Sequence, residues 1–122
     1  MTEAPSGTAS PEGIARLRDR AVDELVRNET IVSGAVEAAM RSVPRHLFIP
    51  EASPEEAYDP FHAVVTRRDG EGNALSSVSD MHVQAWMLEQ AGIEPGMSIL
   101  EIGRVPPGGL RRSTRRDRAM RR

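Results

Sequence analysis

The chain has 122 residues, 39% of them hydrophobic, and a formal net charge of −2, a length that supports one compact core at most. Cysteine is absent and the aromatics are Phe48, Tyr58, Phe61 and Trp86 alone, which excludes disulfide scaffolds, thiolate metal sites and cysteine nucleophiles as well as an aromatic platform for single-stranded nucleic acid. No apolar run approaches the roughly 20 residues that span a bilayer, and the start, with Thr2, Glu3, Pro5, Ser6 and Gly7, has neither the basic nor the apolar part of a signal peptide, so a soluble cytoplasmic protein is the default.

Residues 1–9 mix Thr, Ser, Gly, Pro and Ala without periodicity and read as a disordered leader. Ser10-Pro11-Glu12 is a helix start: a hydroxyl to cap free amides, a proline at the first helical position and an acid at the positive dipole end. Ile14, Leu17, Ala21 and Leu25 then recur at helical spacing, which predicts a helix over 11–27. Ser33 is the expected cap of a second helix over 34–42, in which Val36, Ala39 and Met40 share a face with the following Val43. Pro44 ends it. Beyond the apolar run Leu47-Phe48-Ile49, the sequence Ser53-Pro54-Glu55-Glu56 forms a capping box for one short turn.

The pattern changes at Ala63. Residues 63–66 and 74–77 read as two strands of a hairpin around the turn residues Asp69-Gly70 and Gly72-Asn73. Ser79 or Asp80 caps the next helix, over 80–91, where Val83, Trp86, Met87, Gln90 and Ala91 recur and Gly92 terminates. Trp86 and Met87 read as core filling. After the turn Glu94-Pro95-Gly96, the run Met97 to Ile102 reads as an apolar strand closing on Glu101 and Gly103, the way the first strand of a doubly wound nucleotide-binding sheet begins.

These residues resemble a known family. The segment Val43-Pro44-Arg45-His46-Leu47-Phe48-Ile49-Pro50 is similar to the VPRHLFVP signature of protein-L-isoaspartate O-methyltransferases, and Ala57-Tyr58, Leu75 to Ser79 and Leu100-Glu101-Ile102-Gly103 follow in the family's order over about residues 12–103. The hairpin text Val65 to Gly70 with Ser76 to Ser79 is closer to the branch associated with lanthipeptide-type gene clusters. The resemblance implies an α/β, Rossmann-like S-adenosylmethionine-dependent fold, here reduced to the N-terminal helical segment, the hairpin, a helix and the first sheet strand. It implies methyl transfer to the carboxylate of an isoaspartyl or aspartyl residue in a protein or peptide, the ester then closing to a succinimide. Ser79 matches the serine of the family's TIS-x-P motif beside the substrate carboxyl group, whereas the motif's proline is Met81 here, which implies a looser loop. The plainer role for Ser79 is the helix cap. Glu101 and Gly103 match the start of the E-x-G-x-G-x-G cofactor motif, which breaks at Arg104-Val105-Pro106.

Charge divides the chain at the same place. All basic residues are Arg: residues 1–103 carry eight against seventeen Asp and Glu, a balance of −9, and residues 104–122 carry eight against Asp117 alone, a balance of +7. An Arg-rich tail can bind phosphates, yet its start inside a motif, in a chain rich in Arg, Ala, Gly and Pro and free of Lys, points to out-of-frame reading after Gly103. The expectation is residues 10–103 as the N-terminal part of a methyltransferase domain, inactive as a fragment, with helices that pack poorly because the strand has no partner. The competing class is a non-catalytic helical substrate-binding module or an Arg-tailed nucleic-acid-binding protein. His46, His62 and His82 lack metal-ligand spacing, His46 reads as structural, and Ser79, Asp80 and His82 lie too close in sequence for a triad.

Overall fold

A computed structural model describes residues 10–103, so the expected leader 1–9 and Arg-rich tail 104–122 lie outside the described residues. The described residues fall into two units divided between Gly92 and Ile93. The first contains every helix and strand among the described residues: α1 Pro11–Arg27, α2 Gly34–Ser42, a 3-10 turn Arg45–Phe48, α3 Pro54–Ala57, β1 Val64–Arg68, β2 Ala74–Val78 and α4 Met81–Ala91.

Each helix starts where its cap predicts. The Ser10 hydroxyl accepts from the Gly13 amide, Ser33 from Val36, and Ser53 from Glu56, whose carboxylate accepts in return from the Ser53 amide. α1 ends in a Schellman arrangement: the Thr30 amide donates to the Leu25 carbonyl and the Glu29 amide to Val26. That closure needs a left-handed residue, and Glu29 occupies it at φ +64. At the end of α4 the same requirement is met by Gly92, at φ +57.

The core gathers Ala21, Val22 and Leu25 from α1, Ile31 from the link after it, Ile49 from the end of the 3-10 turn, Ala57 and Tyr58 from the end of α3, and Met81 and Ala85 from α4. Ile14, Leu17, Val36, Met40, Val64 and Val78 pack around this cluster. The helices therefore pack around a closed apolar cluster, contrary to the expectation that they would pack poorly. The cluster is assembled from three helices and two loops of the same unit, so it does not need the sheet strand. Two polar ties hold α2. Arg41 bonds Asp19 at 3.3 Å and Asp23 at 2.6 Å on α1 and Glu37 at 3.2 Å on its own helix. The Glu89 carboxylate of α4 accepts from the Ser33 amide at 2.8 Å and the Val32 amide at 3.0 Å, which lowers its pKa from the ordinary glutamate value, the Ser33 amide acting most.

Each strand is one residue longer than its sequence suggests, and β1 starts one residue later. Val64 pairs with Val78, Val65 with Ser77, Arg67 with Ser76 and Arg68 with Ala74. Thr66 on one strand and Leu75 on the other are skipped, and these offsetting bulges keep the two strands equal in length. Asp69 ties the loop by accepting from the Glu71 and Asn73 amides and the Asn73 side chain.

Two further expectations are corrected. Trp86 and Met87 are 53% and 62% exposed, not core filling; α4 turns Met81 and Ala85 inward instead, one helical turn apart. In the second unit the expected strand over 97–102 is absent, and Leu100 and Ile102 are 82% and 88% exposed. A parallel strand exists only through hydrogen bonds to a neighbour, and the two-stranded sheet of the described residues pairs β1 with β2 alone. The turn before it does form: Met97 donates to the Glu94 carbonyl at 3.2 Å, with Gly96 at φ +88 in the position a type II turn reserves for glycine. No helix among the described residues is long and apolar enough to cross a membrane.

Because Glu29 holds a conformation that strains a residue with a Cβ, Glu29→Gly is expected to stabilise the chain by about 0.5–1 kcal/mol, a rise of a few degrees in Tm. A thermal melt showing a lower Tm for this variant contradicts the Schellman assignment.

Candidate active site

The region around Ser79 is built from the start of α4 outward. Asp80, with extended backbone, accepts from the Val83 amide at 2.7 Å through its side chain and is the cap of α4. Of the two residues that could fill that position, the helix uses Asp80. The Ser79 hydroxyl is consequently exposed and makes no hydrogen bond to another described residue. Its position is bounded by Val78, the last residue of β2, on one side and by the cap on the other.

The backbone of Ser79 is held from beneath by Arg45. This side chain leaves the 3-10 turn, is only 8% exposed, and donates from each of its three nitrogens: Nε to the Ala57 carbonyl at 2.6 Å, Nη1 to Gln84 Oε1 at 2.7 Å and Nη2 to the Ser79 carbonyl at 2.9 Å. Burial lowers the Arg45 pKa, opposed by the charges of Asp80 and Tyr58; a guanidinium stays protonated regardless. Its neighbour His46 places Nδ1 2.9 Å from the Tyr58 hydroxyl, with the two rings 5.7 Å apart, so the 3-10 turn is tied to the end of α3 by two successive side chains. Met81, which stands where the resemblance expects proline, is 1% exposed. α4 is thus anchored at its first turn by a buried side chain in place of a fixed φ.

The remaining histidines serve separate local roles. His62 lies 2.9 Å from Asp59, and with the Phe61 amide it holds the Asp59 carboxyl below its ordinary pKa, the His62 bond being the larger cause. The His82 ring packs on Phe61 at 5.6 Å. Asp80 is occupied by its capping bond, so Ser79, Asp80 and His82 do not form a triad. Among the described residues no three His, Asp or Glu side chains gather to hold a metal ion.

Glu101 and Gly103 belong to the second unit and are exposed on irregular backbone. A nucleotide-type cofactor is held by backbone amides at the carboxyl end of a strand running into a helix; among the described residues, those leading to Glu101 and Gly103 form no strand, so the described residues do not by themselves form such a cradle.

The family model for protein-L-isoaspartate(D-aspartate) O-methyltransferase (PCMT) matches residues 16–106. The chain belongs to this family. Its members are methyltransferases, and the family uses S-adenosylmethionine. Among similar proteins, the protein-L-isoaspartate O-methyltransferase of Hyperthermus butylicus is 36% identical over 96 residues, covering 79% of this chain and 37% of that enzyme. That of Methanothermobacter thermautotrophicus is 38% identical over 86 residues, covering 70% and 36%, and that of Methanospirillum hungatei is 39% identical over 93 residues, covering 73% and 39%. The chain therefore spans little more than a third of these relatives' length. No solved structure matches it significantly.

Arg45 holds the Ser79 carbonyl, Gln84 shares the Arg45 fork, and Asp80 caps the helix that follows; of these three only Asp80 had a role assigned from sequence. Arg45 sits inside the family signature, but the signature says nothing of the three acceptors, which lie 12, 34 and 39 residues further on.

The cap assignment separates two variants. Asp80→Ala is expected to cost about 1 kcal/mol of stability, the ordinary worth of an N-cap, while Ser79→Ala changes it by less than about 0.5 kcal/mol, as for an unengaged surface position. Urea titration measures both, and a reversal of the two effects contradicts the assignment.

Proposed function

We propose that this chain carries the substrate-facing part of a carboxyl O-methyltransferase of the isoaspartate type, with Ser79 as the residue that meets the acceptor carboxylate. The observation that carries the reading is the Ser79 hydroxyl itself: exposed, free of the capping role, and located at a residue whose carbonyl is held by Arg45 and whose successor caps α4. A hydroxyl so placed donates one hydrogen bond to a carboxylate oxygen. The reaction needs little more from an acceptor-side residue, because an ionised carboxylate is already nucleophilic and what remains is orientation and exclusion of water.

In this reading the acceptor is an isoaspartyl or aspartyl side group of a protein or peptide, the family's Rossmann-like sheet and S-adenosylmethionine complete the enzyme, and the setting is cytoplasmic. The 122-residue chain is inactive by itself. Glu101 and Gly103 open the cofactor motif, but Arg104-Val105-Pro106-Pro107 follows where small residues should let backbone amides approach, and two prolines withhold the amides in question.

Calorimetric and NMR titrations test the two halves separately. An isoaspartyl peptide is expected to perturb the amides of Ser79 to Met81, and Ser79→Ala to weaken its binding about tenfold, the worth of one hydrogen bond to a charged group. S-adenosylmethionine is expected to give no heat. Absence of peptide binding contradicts the assignment of Ser79, and micromolar binding of S-adenosylmethionine contradicts the claim of inactivity.

A further inference from the structure

We infer that Arg45 is the positioning residue of the Ser79 site, setting the direction of the Ser79 hydroxyl by holding the carbonyl of the same residue; this rests on the reading of Ser79 as the acceptor-side residue. Three acceptors converge on one rigid plane. The Ala57 carbonyl comes from the end of α3, Gln84 Oε1 from the first turns of α4, and the Ser79 carbonyl from the link between β2 and α4. Since the guanidinium fork is planar and its donors point in fixed directions, the three groups can be satisfied together in one arrangement. Ser79 is the exposed member of that set, and its next residue is fixed by the bond from Asp80 to the Val83 amide. With its carbonyl and the following cap both held, the peptide that follows Ser79 is restrained, and with it the range of directions open to the hydroxyl.

The three donors of the fork meet acceptors that any side chain without donors at position 45 would leave unpaired. A buried apolar residue at position 45 could fill the same space beside Ala57, but could not hold the Ser79 carbonyl. The fork is also 8% exposed, so it does not itself meet a peptide; it acts through Ser79. Lysine keeps the charge but has no planar fork, so it cannot reproduce the three directions.

The test is a double-mutant cycle on the full chain, read as affinity for an isoaspartyl peptide by NMR titration, with folding checked by circular dichroism and by the Val32 and Ser33 amide shifts, which lie at the distant Glu89 tie. Arg45→Lys is expected to weaken binding about tenfold, Ser79→Ala by a similar factor, and the double variant by no more than either alone, since the two residues act through one bond. Losses that multiply in the double variant, or wild-type affinity in folded Arg45→Lys, overturn the inference. If the wild-type chain binds no peptide, the acceptor-side reading of Ser79 fails. The backbone hold is then still read from the same samples, where Arg45→Lys is expected to shift the Ser79 carbonyl carbon while leaving the Ser33 carbonyl in place, and no shift overturns the hold. If Arg45→Lys does not fold, the wild-type chain decides: a cross-hydrogen-bond correlation from Arg45 Nη2 to the Ser79 carbonyl supports the inference and its absence overturns it.

Discussion

The first unit depends on one buried guanidinium. Arg45 leaves a short 3-10 turn that has no side-chain cap and joins three segments that no strand or helix connects directly: the turn itself, the end of α3 and the start of α4. Around it the apolar cluster closes, with Ile49, Ala57, Tyr58, Met81 and Ala85 from the same segments. A charge of this kind is tolerated in a core only when its donors find acceptors, and here the fork has one at Nε, one at Nη1 and one at Nη2. The arrangement is therefore all-or-none. Removing the guanidinium leaves two backbone carbonyls and a side-chain amide short of a donor, the Ala57 carbonyl in a buried position and the other two in part-buried ones.

The same interaction links fold to chemistry. Ser79 is exposed and without a partner among the described residues, which by itself would make it an ordinary surface serine. What distinguishes it is that its carbonyl is one of the three groups the fork holds and that the following residue caps α4. A surface hydroxyl is thereby mounted between a held carbonyl and a capped helix start. Met81 contributes from the other side by burying its side chain at the first position of α4, so the departure from the family's proline replaces one means of fixing the start of that helix with another.

Local signals in the sequence were legible where the interaction is local. Ser10, Ser33 and Ser53 mark helix starts because a cap acts over three residues, and Asp69-Gly70 with Gly72-Asn73 marks the hairpin loop for the same reason. The family was legible from the segment Val43 to Pro50 and its three companions. What could not be read is anything decided across long separations. The face that α4 buries is one such case: periodicity offered Val83, Trp86 and Met87, but the core accepts Met81 and Ala85, because the small Ala85 lets α4 approach the cluster while Gln84 beside it reaches Arg45. The apolar run 97–102 is another, since strand propensity is realised only when a neighbouring strand supplies hydrogen bonds. Of the candidate site, Ser79 was visible through its motif. Arg45 was visible as a letter in a signature without its role, because its three partners are distributed over the next 39 residues. Glu101 and Gly103 were visible as the start of a motif, and the described residues before them form no strand.

The central claim is that Arg45 organises the first unit, and thermal or urea unfolding of Arg45→Met in the full chain tests it most directly. Methionine fills a similar volume without donors, so the account predicts a loss of about 3 kcal/mol, the cost of stranding several buried polar groups, against a change under about 0.5 kcal/mol for Arg16→Met on the exposed face of α1. Equal stability of the two variants would contradict it.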